Sequence, residues 1–113
     1  MVNSSWVKEF PGAVTVCDAA GVILEMNDAA IKSFNDQGGE ELIGKNLLEC
    51  HPDEARVKLK ELMNAQRANV YTIEKRGVRK LIYQTPWYKN GAYSGFVEVQ
   101  IEIPDPMPHF VRS

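Results

Sequence analysis

The 113-residue sequence is poor in cysteine and lacks any long apolar run. Its two cysteines, Cys17 and Cys50, are far apart and fit neither a disulfide framework nor a paired metal motif. No segment approaches the ~20 apolar residues of a membrane-spanning helix, and the first ten residues lack the charged and apolar regions of a secretory signal. We therefore expect a water-soluble, cytoplasmic protein with no membrane partner.

The sequence also has no large excess of charge of either sign. The net charge is -2 at pH 7, and the basic residues do not gather into a stripe that could neutralise a row of phosphates. The densest basic run, residues 75–80, surrounds Gly77 between two strand-like segments, which is typical of a solvated hairpin turn. We do not expect the chain to bind nucleic acid directly.

Catalytic and metal-binding patterns are missing as well. The sequence shows no recognisable catalytic triad, neither of Ser, His and an acid nor of Cys, His and an amide. No glycine-rich phosphate loop follows a strand. Cys50 and His51 are adjacent, but a closed zinc site needs four ligands, and the other histidine, His109, lies in a proline-rich tail. The sequence favours binding over catalysis, with no catalytic residues and no metal.

What the sequence does contain is a regular succession of strand and helix patterns, in a chain of the usual length for one domain. Strands are predicted at residues 13–17, 22–25, 70–75, 79–88 and 93–103, and helical segments at 5–10, 28–34, 40–43 and 53–66. Asn27 is a suitable N-cap and Pro52 a suitable first helical residue. This order predicts an α+β domain whose helices cover one face of an antiparallel sheet.

Three segments in this order resemble the PAS family of sensory domains. Residues 13–30, AVTVCDAAGVILEMNDAA, are similar to the family's opening hairpin and asparagine-capped helix. Residues 41–54, ELIGKNLLECHPDE, are similar to its "liG+" step and "HP-acid" helix start, and residues 85–96, TPWYKNGAYSGF, to its last hairpin. The resemblance spans residues 11–103, between an N-terminal helical cap at 1–10 and a proline-rich tail at 104–113. It implies a five-stranded antiparallel sheet in the order 2-1-5-4-3, with short helices on one face around a small pocket.

The resemblance also implies a sensor or interaction module, usually joined to an output domain in a larger protein. Sheet parity predicts that Leu81 and Val97 lie on the covered face with several of the pocket residues. The predicted pocket residues are Phe34, Leu47, Leu59, Met63, Tyr71, Tyr83, Thr85 and Val99. The hydroxyls of Tyr71, Tyr83 and Thr85 could bond a small ligand, or they could be satisfied by the backbone or by each other.

The family includes members that bind flavin and members that bind haem, and the residues of this sequence can be compared with both motifs. Blue-light sensing members form a flavin adduct through a cysteine directly after Gly-[Arg/Lys]-Asn. Here Gly44-Lys45-Asn46 is followed by Leu47, so the adduct is disfavoured. Haem-binding members use a histidine in the helical region, where His51 is the only one, although a histidine at a helix start can simply bond backbone donors. Haem through His51 is the least favoured alternative.

Two broader hypotheses therefore compete. In the first, the pocket binds a small molecule and the domain signals through protein contacts. In the second, the core is filled and the chain is a homodimerisation or interaction module, with Trp6, Phe10 and Ile82 as the expected dimer contacts.

Overall fold

The computed structural model describes residues 5–50 and 52–113, and of Cys50 it describes the backbone alone. The helices are α1 (Ser5–Lys8), α2 (Asp28–Ser33) and α3 (Asp53–Ala65), and the strands are β1 (Ala13–Asp18), β2 (Ile23–Met26), β3 (Asn69–Lys75), β4 (Val78–Lys89) and β5 (Ala92–Ile103). Three 3-10 turns, Asn35–Gln37, Gly39–Leu42 and Leu47–Cys50, connect α2 to α3. The predicted helices and strands are confirmed, whereas the first and last 3-10 turns carry no sequence signal that predicts them. No helix in the described ranges is long and apolar enough to cross a membrane.

The five strands form one antiparallel sheet in the order β2-β1-β5-β4-β3, which confirms the predicted topology. The β3–β4 and β4–β5 hairpins turn through Arg76-Gly77 and Asn90-Gly91, whose four residues all have positive φ. Two-residue turns of this kind match the twist of the flanking strands. The basic run around Gly77 is therefore a hairpin turn, as predicted.

Asn27 fixes the start of α2 and ties three segments together. Its Oδ1 accepts hydrogen bonds from the amides of Ala30 (3.0 Å) and Val14 (2.9 Å), so it is the predicted N-cap. Its Nδ2 donates to the carbonyls of Gly12 (2.8 Å) and Val7 (3.0 Å). One buried amide thus joins the N-terminal segment and β1 to α2.

The buried apolar side chains form two clusters between the helices and the sheet. The first contains Ala13, Ile23, Met26, Ala30 and Leu42, and the second contains Cys17, Leu62, Met63 and Phe96. Phe96 on β5 and Cys17 on β1 are cross-strand partners, and both belong to the cluster that contains Leu62 and Met63 of α3. These contacts identify which face of the sheet the helices cover.

On β4 and β5, the face that the helices cover is the opposite of the predicted one. Because side chains alternate along a strand, Glu98 and Gln100 share the covered face with Phe96. Ile82, opposite Gln100, is only 2% exposed and lies on the covered face too. The prediction was therefore wrong for two sets of residues. The side chains of Leu81, Tyr83, Thr85 and Val99 lie on the outer face, and that of Ile82 does not. Val97 has the same parity as Val99 but also borders the cavity.

The physical reason is that period-two alternation shows which residues share a face, but not which face is covered. The apolar residues of β5, Val97 and Val99, were assigned to the helices because core faces are usually apolar. In this fold Phe96 packs against the helices, and its neighbours on the same face are polar. Tyr71 pairs with Ile82 and lies on the covered side, as predicted.

Candidate ligand cavity

A cavity of about 670 Å³ lies between the helices and the covered face of the sheet. This volume falls within the range of small-molecule sites, ~300–1,000 Å³. The helical side contributes a roof of apolar side chains: Phe34, Leu42, Leu47 and Leu59. Gln37, Lys45 and Pro52 also line the helical side. The sheet contributes a polar floor, formed by Thr15, Tyr71, Gln84, Glu98 and Gln100, beside the apolar residues Cys17, Ile23, Met26, Phe96 and Val97. The cavity therefore has a mostly apolar roof and a floor of which half is polar.

The roof residue Leu47 is held by a segment that runs along the edge of β2. The amide of Gly44 donates to the carbonyl of Ile23 (2.8 Å), and the amide of Ile23 donates to the carbonyl of Lys45 (2.9 Å). The amide of Leu47 then donates to the carbonyl of Gly21 (2.7 Å). This pairing places Leu47 over the sheet and Lys45 among the cavity-lining residues, with its side chain exposed.

The floor is organised by a row of side chains across four strands. Asn69, Gln84, Glu98 and Thr15 are successive cross-strand partners on β3, β4, β5 and β1. The Asn69 Nδ2 donates to Gln84 Oε1 (3.0 Å), and the Gln84 Nε2 donates to Glu98 Oε1 (3.3 Å). The two amides are oriented by these bonds, so the carboxylate of Glu98 is the acceptor at the end of the relay.

Two titratable groups of the cavity have altered acidity. Burial, and secondarily the negative charge of Glu98, raises the pKa of the Tyr71 hydroxyl. Burial also raises the pKa of the Cys17 thiol, which is 2% exposed as a residue. Because the thiolate is the reactive form, Cys17 is a poor nucleophile near neutral pH. Neither shift activates its group as a nucleophile near neutral pH.

The structure brings together only part of the predicted pocket. Phe34, Leu47, Leu59 and Tyr71 line the cavity. Met63 is buried in the second apolar cluster. Tyr83, Thr85 and Val99 lie on the outer face, where the Thr85 hydroxyl donates to the carbonyl of Pro86 (3.3 Å).

The polar floor residues Thr15, Gln84, Glu98 and Gln100 are absent from the predicted pocket. Phe96 is the signal that identifies three of them. Glu98 and Gln100 lie two and four residues after Phe96 on β5, so their side chains point to the same face as its ring. Gln84 on β4 is the cross-strand partner of Glu98 and shares that face. Phe96 is the only aromatic residue of the 96–103 segment and is the one that packs against helices. Parity counted from Phe96, rather than from the valines, gives the observed floor.

The haem alternative depends on His51, which lies outside the described residues. An axial histidine works within an apolar cavity that fits the macrocycle. The floor of this cavity instead carries a carboxylate and two amides, from Glu98, Gln84 and Gln100. Haem binding through His51 therefore stays the least favoured prediction, with these three polar groups against it.

The predicted dimer contacts are also only partly supported. Trp6 is 69% exposed and its ring packs edge-to-face on Phe10, with the ring centroids 6.0 Å apart. Ile82 is buried under the helices, so its assignment as a dimer contact was wrong. The outer face of the sheet is instead formed by Val14, Val16, Leu81, Tyr83, Thr85, Val97, Val99 and Ile101. Tyr83 is 43% exposed on this face.

Known proteins share this fold at low sequence identity. The C-terminal domain of a Streptococcus mutans protein matches with a TM-score of 0.72 and 21% identity, over 88% of this chain and 81% of that one. The PAS domain of BvgS from Bordetella pertussis matches with a TM-score of 0.63 and 18% identity, over 87% and 81%. The Aer2 receptor of Vibrio cholerae, described as a dual PAS-heme oxygen sensor, matches with a TM-score of 0.61 and 14% identity, over 82% and 95%.

No curated protein matches the sequence. The sequence model of the PAS fold matches residues 3–83, which is more than half of the chain. The strand order, the Asn27-capped helix and the cavity between helices and sheet agree with that match. The chain belongs to the PAS family.

Proposed function

We propose that this PAS domain is a sensory module that binds a small molecule in the cavity and transmits the binding event through protein contacts. The observation that supports it is the cavity of about 670 Å³ between the roof and the floor. A filled core would have no such space, because protein interiors are normally packed to the density of organic crystals. The buried free thiol of Cys17 agrees with a role in the reducing cytoplasm.

Two measurements on the purified protein test the proposal. Native mass spectrometry of protein purified without denaturation should show a non-covalent adduct, or a thermal-shift screen of metabolites should identify a stabilising compound. A ligand at about 100 times its Kd stabilises the folded state by ~2.7 kcal/mol, which is a measurable shift. A protein with no adduct and no stabilising compound would contradict ligand sensing.

A matched pair of variants on α3 tests whether a bound compound lies in the cavity. Leu59 lines the cavity, whereas Val57 is 59% exposed on the same helix. We expect Leu59→Trp to fill part of the cavity and to remove the thermal shift, and Val57→Trp to retain it. If both variants keep the full shift, the compound binds elsewhere.

The second candidate function is homodimerisation through the outer face of the sheet. Its central side chains come from four adjacent strands and are mostly apolar, as in Val70, Tyr83, Val99 and Val14, which form one row. Strand spacing gives this patch roughly 400 Å², whereas a standard interface buries about 800 Å² on each partner. We therefore propose a weak dimer of two copies that dissociates on dilution.

The aromatic pair of the N-terminal segment extends this patch. A Cβ on Gly12 would lie 2.8 Å from Phe10 Cε2 and 3.2 Å from Ile101 Cγ1, so the two side chains are neighbours. Trp6 packs on Phe10 and is largely exposed. The apolar surface thus runs from Ile101 on the sheet to Trp6, which supports the predicted contacts Trp6 and Phe10.

Sedimentation equilibrium over a wide concentration range tests the dimer. We expect Tyr83→Glu, in the centre of the outer face, to shift the equilibrium to monomer, and Val57→Glu on α3 to leave it unchanged. A wild-type protein that stays monomeric up to high concentration would rule out this second function. It would leave ligand binding in the cavity as the proposed function.

A further inference from the structure

The chemistry of the cavity walls indicates which class of small molecule fits, an inference that rests on the proposed function. The polar floor presents the carboxylate of Glu98, held by the donor Nε2 of Gln84 at 3.3 Å. Facing it, the roof offers the apolar side chains of Phe34, Leu47 and Leu59. A ligand that satisfies both walls has a polar head and an apolar body.

The charge of the floor determines the sign of that head. Glu98 is half-buried, and a carboxylate removed from water is stabilised by hydrogen-bond donors and positive charge. Besides the bond from Gln84, Glu98 takes part in at least one further interaction within the chain. A ligand ammonium would add charge-assisted donors to this network, whereas a ligand carboxylate would be repelled by Glu98.

The basic side chain of the cavity acts in the opposite direction but weakly. Lys45 is the one lysine or arginine among the described residues that line the cavity, and its side chain is exposed. Exposed charges are screened by water and salt, whereas the half-buried carboxylate is screened much less. Among the described residues that line the cavity, Glu98 is therefore the charge that water screens least.

We propose that the cavity selects small amphipathic cations, with a protonated amine on Glu98 and an aryl or alkyl body against the roof. Burial first and the charge of Glu98 second raise the pKa of Tyr71, so the carboxylate acts on a second residue of the cavity. The amide of Gln84 holds the carboxylate in position, and Gln100 borders it on the same face of β5. The apolar body displaces water from the leucines of the roof.

Three matched probes test the charge preference: 2-phenylethylamine, 2-phenylethanol and 3-phenylpropionate. Their Kd values are measured by NMR titration of the wild type and of two variants. Glu98→Gln removes the carboxylate with little change of shape. Glu102→Gln removes the same charge from the same strand and face, at an exposed residue that does not line the cavity. The second variant controls for the net charge of the protein.

We expect the amine to bind wild type at least about tenfold more tightly than the carboxylate. We expect Glu98→Gln to remove that preference and Glu102→Gln to retain it. An amine preference that survives in Glu98→Gln overturns the inference, and so does equal binding of the three probes. In both cases the probes still bind, and if Leu59→Trp removes that binding while Val57→Trp keeps it, the proposed sensing function stands.

The failure of the proposed function gives a different pattern. If none of the three probes binds while another compound gives a thermal shift that Leu59→Trp removes, the cation inference is wrong and ligand sensing is correct. If no probe binds and no compound shifts the unfolding temperature, both are wrong. Circular dichroism of Glu98→Gln verifies that the variant is folded before its affinities are compared.

Discussion

At the scale of single residues, Gly95 allows β1 and β5 to approach each other closely. Its φ is +143°, and an added Cβ would overlap the carbonyl oxygen of Cys17. Trp87, the cross-strand partner of Gly95, reaches across β5 and donates its Nε1 hydrogen to the same carbonyl (2.9 Å). The absence of a side chain at Gly95 therefore brings three strands into contact at one point.

Gly95→Ala should destabilise the domain strongly. The steric overlap and the left-handed backbone together predict a loss of about 3 kcal/mol or more in the free energy of unfolding. Gly91→Ala is the matched control, because Gly91 has φ +81° but no atom within 4 Å of its added Cβ. The control should lose about 1–2 kcal/mol. Urea denaturation measures both, and equal losses would show that the close strand approach is absent.

Tyr93 presents the opposite case, a side chain with an unsatisfied atom. Its hydroxyl is buried and has no hydrogen-bond partner in the part of the chain that the structure describes. Its ring packs edge-to-face on Phe96 with the centroids 6.3 Å apart. Burial raises the pKa of this hydroxyl. The ring of Tyr93 thus stabilises the core by packing, whereas its hydroxyl contributes no hydrogen bond among the described residues.

Tyr93→Phe should leave the domain as stable or make it more stable, by up to about 1 kcal/mol, because it removes a desolvated hydroxyl. Tyr88→Phe, at a residue that is 56% exposed, should change little. The pH dependence has a definite sign. Since the folded-state pKa is raised, ionisation of Tyr93 does not affect stability below the ordinary tyrosine pKa of about 10, and it destabilises the fold as pH rises above that value. A clear loss of stability in Tyr93→Phe near neutral pH would mean that the hydroxyl has a partner.

At the scale of elements, the short helices depend on caps and ties rather than on their own length. α1 and α2 have four and six residues, too few to be stable alone. Asn27 joins them through its buried amide, and Lys8 and Asp28 join them through an ion pair at 3.0 Å. The two links connect the same elements but differ in exposure.

Asn27→Ala should cost several times more stability than Lys8→Ala. Asn27 is 6% exposed and its side chain makes four hydrogen bonds of 3.0 Å or less, each worth about 1 kcal/mol. The side chains of Lys8 and Asp28 are 70% and 51% exposed, and such surface pairs contribute at most about 1 kcal/mol. Chemical denaturation of the two variants compares them. Similar losses would show that the buried amide does not organise the N-terminal segment.

The element scale also shows where sequence reasoning is sufficient and where it fails. The cap at Asn27, the turn at Asn90-Gly91 and the strand order follow from local signals and from the PAS resemblance. The covered face does not, because helix-facing strands are usually more apolar than this floor. The row Asn69, Gln84, Glu98 reads as a solvent face in the sequence, and it is internal only because a cavity replaces side-chain packing above it.

At the scale of the whole molecule, the sheet separates two surfaces with different chemistry. Its covered face carries the polar floor of the cavity, and its outer face carries Val14, Leu81, Tyr83 and Val99. The two functions proposed above use opposite faces of this one sheet. If ligand binding moves the floor, as the proposed function requires, the strands carry that movement to the outer face, since alternate residues of β4 and β5 belong to opposite faces.

The most direct test of this account is a methyl NMR titration with the three phenyl probes. The methyl groups of Leu42, Leu47 and Leu59 report on the roof, and those of Leu81 and Val99 report on the outer face. We expect the roof methyl signals to shift saturably with the probe that binds best, while the outer-face methyl signals change far less. Saturable shifts confined to Leu81 and Val99 would contradict ligand binding in the cavity. The absence of a roof shift with the three probes and with every compound that stabilises the protein would contradict it too.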